Sequence, residues 1–92
     1  MIAFDQNKNA INIRVHGLDM AIAEEVLAGF TISREDAREA YGEIRLQTLG
    51  LYQGIVVVMV IHTPRGEVDH IISVRKADNH EAHYYWKNYP GH

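Results

Sequence analysis

Four residues stand where their type and setting could do chemistry. Arg75 ends the run Ile71-Ile72-Ser73-Val74-Arg75, and a guanidinium fixed at the end of a buried strand can hold an oxyanion through two parallel hydrogen bonds. The ordinary alternative is an ion pair with Glu43 or Glu81. Arg45, one strand away, could share that anion or pair with Glu43 or Asp69. His16 carries an imidazole, the side-chain type best suited to give or take a proton. A histidine just before a glycine is also what a helix C-terminus favours through its dipole. Glu43 could act as a base. Six histidines invite a metal reading, and His80 and His83 at i, i+3 could touch one ion. With no cysteine and no third ligand nearby in sequence, a structural metal is rejected unless His16 or His70 converges on that pair.

The chain carries 9 Lys+Arg against 12 Asp+Glu, a net charge of -3 that argues against coating nucleic acid by bulk electrostatics. The acidic excess lies in residues 1–43, so any anion site should lie mainly in the second half. At 92 residues and 47% hydrophobic content, one globular domain over 1–92 is expected, too small for a large cofactor. The absence of cysteine fits a reducing compartment. Neither a signal-like N-terminus nor an apolar run long enough for a bilayer is present, the longest being Ile55 to Ile61. The expectation is a cytoplasmic protein without membrane contact.

The elements that must position these residues are unevenly legible. Residues 9–16 alternate like a strand, yet Asp5 is a possible cap, Ile11, Val15 and Leu18 fall at i, i+4 and i+7, and His16-Gly17 makes a helical ending; the local signals divide evenly. Asp19 to Gly29 predicts a helix with apolar residues at 20, 23, 26 and 27. Residues 33–42 carry five charges and fit a solvated loop or short helical turn. Ile44 to Tyr52 reads as a strand with a bulge near Gly50. Ile55 to Ile61 reads as a central strand, and Glu67 to Arg75 as a third that sets Val68, His70, Ile72 and Val74 on one face. Asp78-Asn79 can cap a final helix over Glu81 to Tyr89. This order gives an α+β domain.

Phe4-Asp5, Lys8, Asn12, His16-Gly17, Glu24-Glu25-Val26, Glu43-Ile44-Arg45 with Gly50, His62-Thr63 with Arg65-Gly66, Ile71 to Ala77, Glu81 and Tyr84/Tyr85 occur together in an order and spacing that resembles BrnT-type toxins. These are the toxin halves of BrnT/BrnA type II toxin-antitoxin systems. The Asn-x-x-x-His-Gly and Ile-Ile-Ser-Val-Arg-Lys-Ala segments are the most specific pieces, and the resemblance spans nearly the whole chain. It implies a RelE-like fold: two N-terminal helices, an antiparallel sheet of three to four strands and a C-terminal helix. It also turns residues 9–16 to helix. One position departs from the pattern, because the family usually carries a basic residue just before His-Gly and here that residue is Val15. If that cation binds phosphate in relatives, Arg14 would have to replace it.

By the same resemblance the chain is a metal-independent, cofactor-free RNA endonuclease that arrests translation, acting on free or ribosome-bound RNA. A BrnA-like antitoxin would neutralise it in a hetero-oligomer, and operator DNA would be met only through that antitoxin. RNA transesterification uses the 2′-OH as nucleophile, so the protein need supply only a base, an acid and positive charge. The implied catalytic set is Arg75, Arg45, His16 and Glu43, with Lys8, Arg14, Lys76 and Tyr85 contacting RNA. Tyr84 or Tyr85 could stack a base, although core packing is the commoner role for such a pair. A different reading is a catalytically weakened antitoxin-binding half of an autoregulatory repressor, motivated by the acidic balance and Val15. In either case the antitoxin is expected over the aromatic C-terminal helix and the adjoining sheet.

Overall fold

Asp5 starts the first helix by accepting a hydrogen bond from the Lys8 N–H at 2.9 Å, and Gly17 ends it in the left-handed region at φ 72°. This helix is α1 (Gln6–His16), so the divided signals of residues 9–16 resolve to helix. Its packing inverts the apolar pattern: Ile11, Ile13 and Val15 are exposed, while Asn9 and Asn12 are buried. Hydrogen bonds hold it in place. Asn9 accepts from the Met20 N–H at 2.8 Å and donates to Asp19 at 3.0 Å. Asn12 donates to the carbonyls of Leu18 (2.8 Å) and Val74 (2.9 Å) and accepts from the Val74 N–H (3.1 Å).

Asp19 caps a 3-10 turn (Met20–Ile22) that leads into α2 (Ala23–Ala28), so the expected helix over 19–29 is a shorter one with a tightened entry. The strands are β1 (Ile2–Ala3), β2 (Ile32–Glu35), β3 (Leu46–Tyr52), β4 (Val56–Arg65) and β5 (Val68–Lys76), followed by α3 (Asn79–Lys87). The computed structural model describes residues 1–91; the last residue of the domain expected over 1–92 lies outside the described residues.

The sheet corrects the expected strand count. It has five strands in the order β1-β5-β4-β3-β2, and β1 runs parallel to β5 while the other pairs are antiparallel. The meander β3-β4-β5 is the expected one. β1 is too short to show a period, and β2 runs from Ile32 into the charged stretch that reads as a loop. Charges on β2 suit an edge strand, where one side faces water and discourages further pairing.

Pairing is regular through Gly50, so no bulge lies there. That glycine instead makes room for α2, since a Cβ at Gly50 would stand 2.6 Å from Val26 Cγ1 and 3.0 Å from the Val26 carbonyl. Gly50→Ala is expected to cost about 1–3 kcal/mol by overpacking, read as a lowered urea midpoint with the slope unchanged.

The irregularity falls in β5. Ile61 is opposite Ser73 and His62 is opposite Ile71, leaving Ile72 as the extra residue. The phase therefore flips: Ile71 packs with Val74, and His70 joins Arg75 on the other face. The expected face of Val68, His70, Ile72 and Val74 is overturned.

Two apolar layers result. Met20, Ala23 and Val26 pack on Val58, Val60, Ile71 and Val74 on one face; Tyr85 of α3 packs on Leu49, Val57, Met59 and Ile61 on the other. On the first face His62 is buried and paired at both ring nitrogens, with Thr48 Oγ1 at 2.7 Å and Asp69 Oδ1 at 2.8 Å. Thr48 in turn shares a 2.6 Å bond with Ser33.

Candidate active site on the open sheet face

The helix α3 is capped by Asp78 and Glu81 acting reciprocally, Asp78 accepting from the Glu81 N–H at 2.8 Å and Glu81 accepting from the Asp78 N–H at 3.0 Å. The helix begins two residues before the expected Glu81 and ends at Lys87. Tyr85 anchors it: the ring is 0% exposed, the hydroxyl donates to the Phe30 carbonyl at 2.7 Å, and Phe30, Trp86 and Tyr89 pack around it. Tyr85 is therefore an interior side chain and not a surface for stacking RNA, which corrects its assignment. Burial also pushes its hydroxyl pKa up. Tyr84, one residue round the helix, is 53% exposed.

This face carries three successive rows across the sheet. Leu49, Met59 and Arg75 stand in one, Gln47, Ile61 and Ser73 in the next, and Thr63 and His70 in the third. Arg45 immediately precedes β3, with its guanidinium 3.6 Å above the Tyr41 ring and its backbone carbonyl accepting from Asp36. Arg38 is close enough to Arg75 for the two charges to oppose each other.

Arg75 makes a forked ion pair with Glu81 at 2.8 and 2.9 Å, one of the two partners its sequence position allowed. The Arg75 hydrogen bonds hold the Glu81 carboxyl below its ordinary value, and the Asp78 N–H and Arg34 act in the same direction. A depressed carboxylate contributes stability that is fully present above its unfolded pKa and lost as pH falls through the folded one. Acid unfolding below about pH 4.5 should thus be steeper in the wild type than in Glu81→Gln. Equal acid limbs in a denaturation series would contradict this.

Glu43 is paired instead with Arg65, at 2.8 and 3.2 Å. Arg65 lowers its pKa first, with smaller help from His70 and Arg45, which places all four groups near one end of the face. The cost to Glu43 as a base is evident, because a carboxylate held ionised has little proton affinity near neutrality.

A groove of about 520 Å³ runs between α3 and the strands β2 and β3. Its floor is Ile32, Leu49 and Met59; Arg34 and Gln47 stand on one side and His80, Glu81, His83, Tyr84 and Lys87 on the other. Arg34 donates to Gln47 at 2.9 Å. His80 and His83 share this wall, and among the described residues no third His, Cys, Asp or Glu joins them in a metal-holding group.

His16 and Lys8 line a second cleft of about 320 Å³ between α1 and β5, with Val15, Ile72 and Ser73. The two cavities share no lining residue, so His16 approaches the Arg75 face only at its margin, where Ser73 belongs to both. A cation at position 15 would stand in this cleft. Arg14 is exposed, about 100° round the helix, and does not line it. Lys8, two turns before Val15, supplies the charge there instead. Lys76 pairs in register with Val58 and so lies on the face opposite Arg75. Arg34 and Lys87 give no sequence signal of the groove they line, and His70, which the sequence offers only as a possible metal ligand, has its alignment with Arg75 hidden by the bulge.

Comparison with known proteins bears on this arrangement. The family model described as "Ribonuclease toxin, BrnT, of type II toxin-antitoxin system" matches residues 4–81. A search among curated proteins finds no match. The crystal structure of the Brucella abortus ribonuclease toxin BrnT superposes with a TM-score of 0.63 at 32% identity, covering 85% of this chain and 96% of that one. The match reaches across α1, the strands β2 to β5 and the capped start of α3, which are the elements that carry Asn12, Arg75 and Glu81, and on these grounds the chain belongs to the BrnT family of ribonuclease toxins.

Proposed function

We propose that this chain cuts RNA by attack of the neighbouring 2′-OH and so arrests translation, and that a BrnA-like antitoxin neutralises it in the cytoplasm. The observation that carries the reading is Arg75: a forked guanidinium on a rigid strand, beside a groove, with Arg38 within electrostatic reach of it and Arg45 toward one end of the face. In this mechanism a scissile phosphate replaces Glu81 on the Arg75 fork, and Arg75 with Arg45 stabilises the charge that develops on the phosphorane. His16 or His70 moves the protons, and Lys8 holds a flanking phosphate. The chemistry needs only these acid, base and cationic groups, which is the reason for proposing metal independence. The order of two helices, sheet and one helix supports a RelE-like kinship. Among the described residues no helix is long and apolar enough to cross a membrane.

Inducing the chain in a bacterium that lacks an antitoxin is expected to stop growth and protein synthesis, and the purified chain is expected to cut RNA in excess chelator. Unchanged growth at confirmed expression would favour the weakened, antitoxin-binding reading, for which the closed Arg75–Glu81 pair is the supporting observation. We place the antitoxin over α3 and the adjoining sheet, where it would cover Arg75 and meet DNA on the toxin's behalf.

A further inference from the structure

The groove beside α3 has a composition that the cleavage chemistry does not use. Its floor is apolar, formed by Leu49 and Met59, and Met59 is the register neighbour of Arg75. Tyr84 stands on its wall with 53% of its surface exposed, although its neighbours Tyr85 and Trp86 turn toward the core. Arg34 and Lys87 stand on opposite sides, one on the edge strand and one at the end of α3. The single carboxylate in the lining is Glu81, already neutralised by Arg75.

An apolar floor, an exposed phenol ring and two separated cations fit a ligand with a flat apolar body between anionic groups. We infer that this groove is a subsite for one unpaired RNA nucleotide next to the scissile phosphate, with its base on Tyr84 and the half-buried Ile32 and its phosphates toward Arg34 and Lys87. Base-to-aromatic stacking needs an unstacked base, so the subsite selects single-stranded RNA over duplex. The imidazoles of His80 and His83 are the groups in the wall that can meet a base edge. The inference rests on the ribonuclease reading of the same face.

Binding separates the two claims. A short single-stranded 2′-O-methyl RNA lacks the nucleophile and cannot be cut, so its affinity reports the groove alone. Tyr84→Ala is expected to weaken that affinity about 10-fold or more, and Tyr84→Phe, which keeps the ring, to leave it within about twofold. Arg34→Gln is expected to lower the dependence of log affinity on log salt by about one contact. With a cleavable RNA, Tyr84→Ala should raise KM more than it lowers kcat. Cleavage by the wild type with 2′-O-methyl RNA binding unchanged in both Tyr84→Ala and Arg34→Gln would overturn the subsite and leave the ribonuclease reading standing. Loss of binding in both variants of a wild type that cuts nothing would support the subsite and overturn the enzyme.

Discussion

Replacing Arg75 by alanine is expected to lower RNA cleavage by about 10²–10³-fold while the fold persists. The two hydrogen bonds that the guanidinium now gives Glu81 are the geometry a phosphate accepts, and no other side chain of that row carries charge. The stability cost is modest. Glu81 keeps the Asp78 N–H, and both side chains of the pair are partly exposed, so the loss is about 1 kcal/mol, or about 4–8 °C in Tm for a domain of this size. Arg75→Lys keeps the charge without the fork and is expected to fall between the two. Single-turnover cleavage of a labelled RNA, beside a melting curve for each variant, checks the claim. An alanine variant that cuts within about threefold of the wild type would make Arg75 a structural partner of Glu81 alone.

The second large effect is on stability. Asn12→Ala removes three hydrogen bonds and leaves the N–H and carbonyl of Val74 buried at the edge of β5 without a partner. Each lost bond is worth about 1 kcal/mol, and each unsatisfied buried group costs about 1–3 kcal/mol, so a total of about 3–5 kcal/mol is expected. That is a large part of the roughly 5–14 kcal/mol a domain of this length possesses. Asn12→Asp retains the acceptor for the Val74 N–H but turns a carboxylate oxygen toward two carbonyls, and it should be nearly as damaging. Urea unfolding of both variants reads this directly; a loss below about 1 kcal/mol would show that α1 is held by something other than Asn12.

These two residues also show what a sequence can and cannot reveal. The meander and the Asp78 cap were legible because their signals are local: β-branched runs, a turn glycine, an acidic residue three before Glu81. Arg75 at a strand end was legible for the same reason. The packing of α1 was not, because Asn12 is buried by bonds to a residue 62 positions away, and local periodicity pointed to Ile11 and Val15 as the inner face. β1 and β2 escaped notice because two residues show no period, and four residues ending in the charged pair Arg34-Glu35 imitate a loop. The choice of Tyr84 over Tyr85 for the surface depends on the rotation of a nine-residue helix, which its contact with Phe30 settles. His70 joined Arg75 only because Ile72 is an extra residue in β5, a fact that pairing shows and spacing does not.

The long reach of Asn12 also sets a timetable for the chain as it is made. Ile2 pairs with Asp69, and Asn12 with Val74, so neither the first strand nor the first helix has its partner until nearly the whole chain has left the ribosome. Closing such distant contacts is slow compared with local ones, and domains rich in them assemble late. Arg75 comes off the ribosome in the same segment and only then meets Glu81. An unfinished chain therefore has neither a closed sheet nor the Arg75–Glu81 pair, and under the proposed role of Arg75 it is harmless until the end of its own synthesis. An antitoxin partner has that interval in which to be ready.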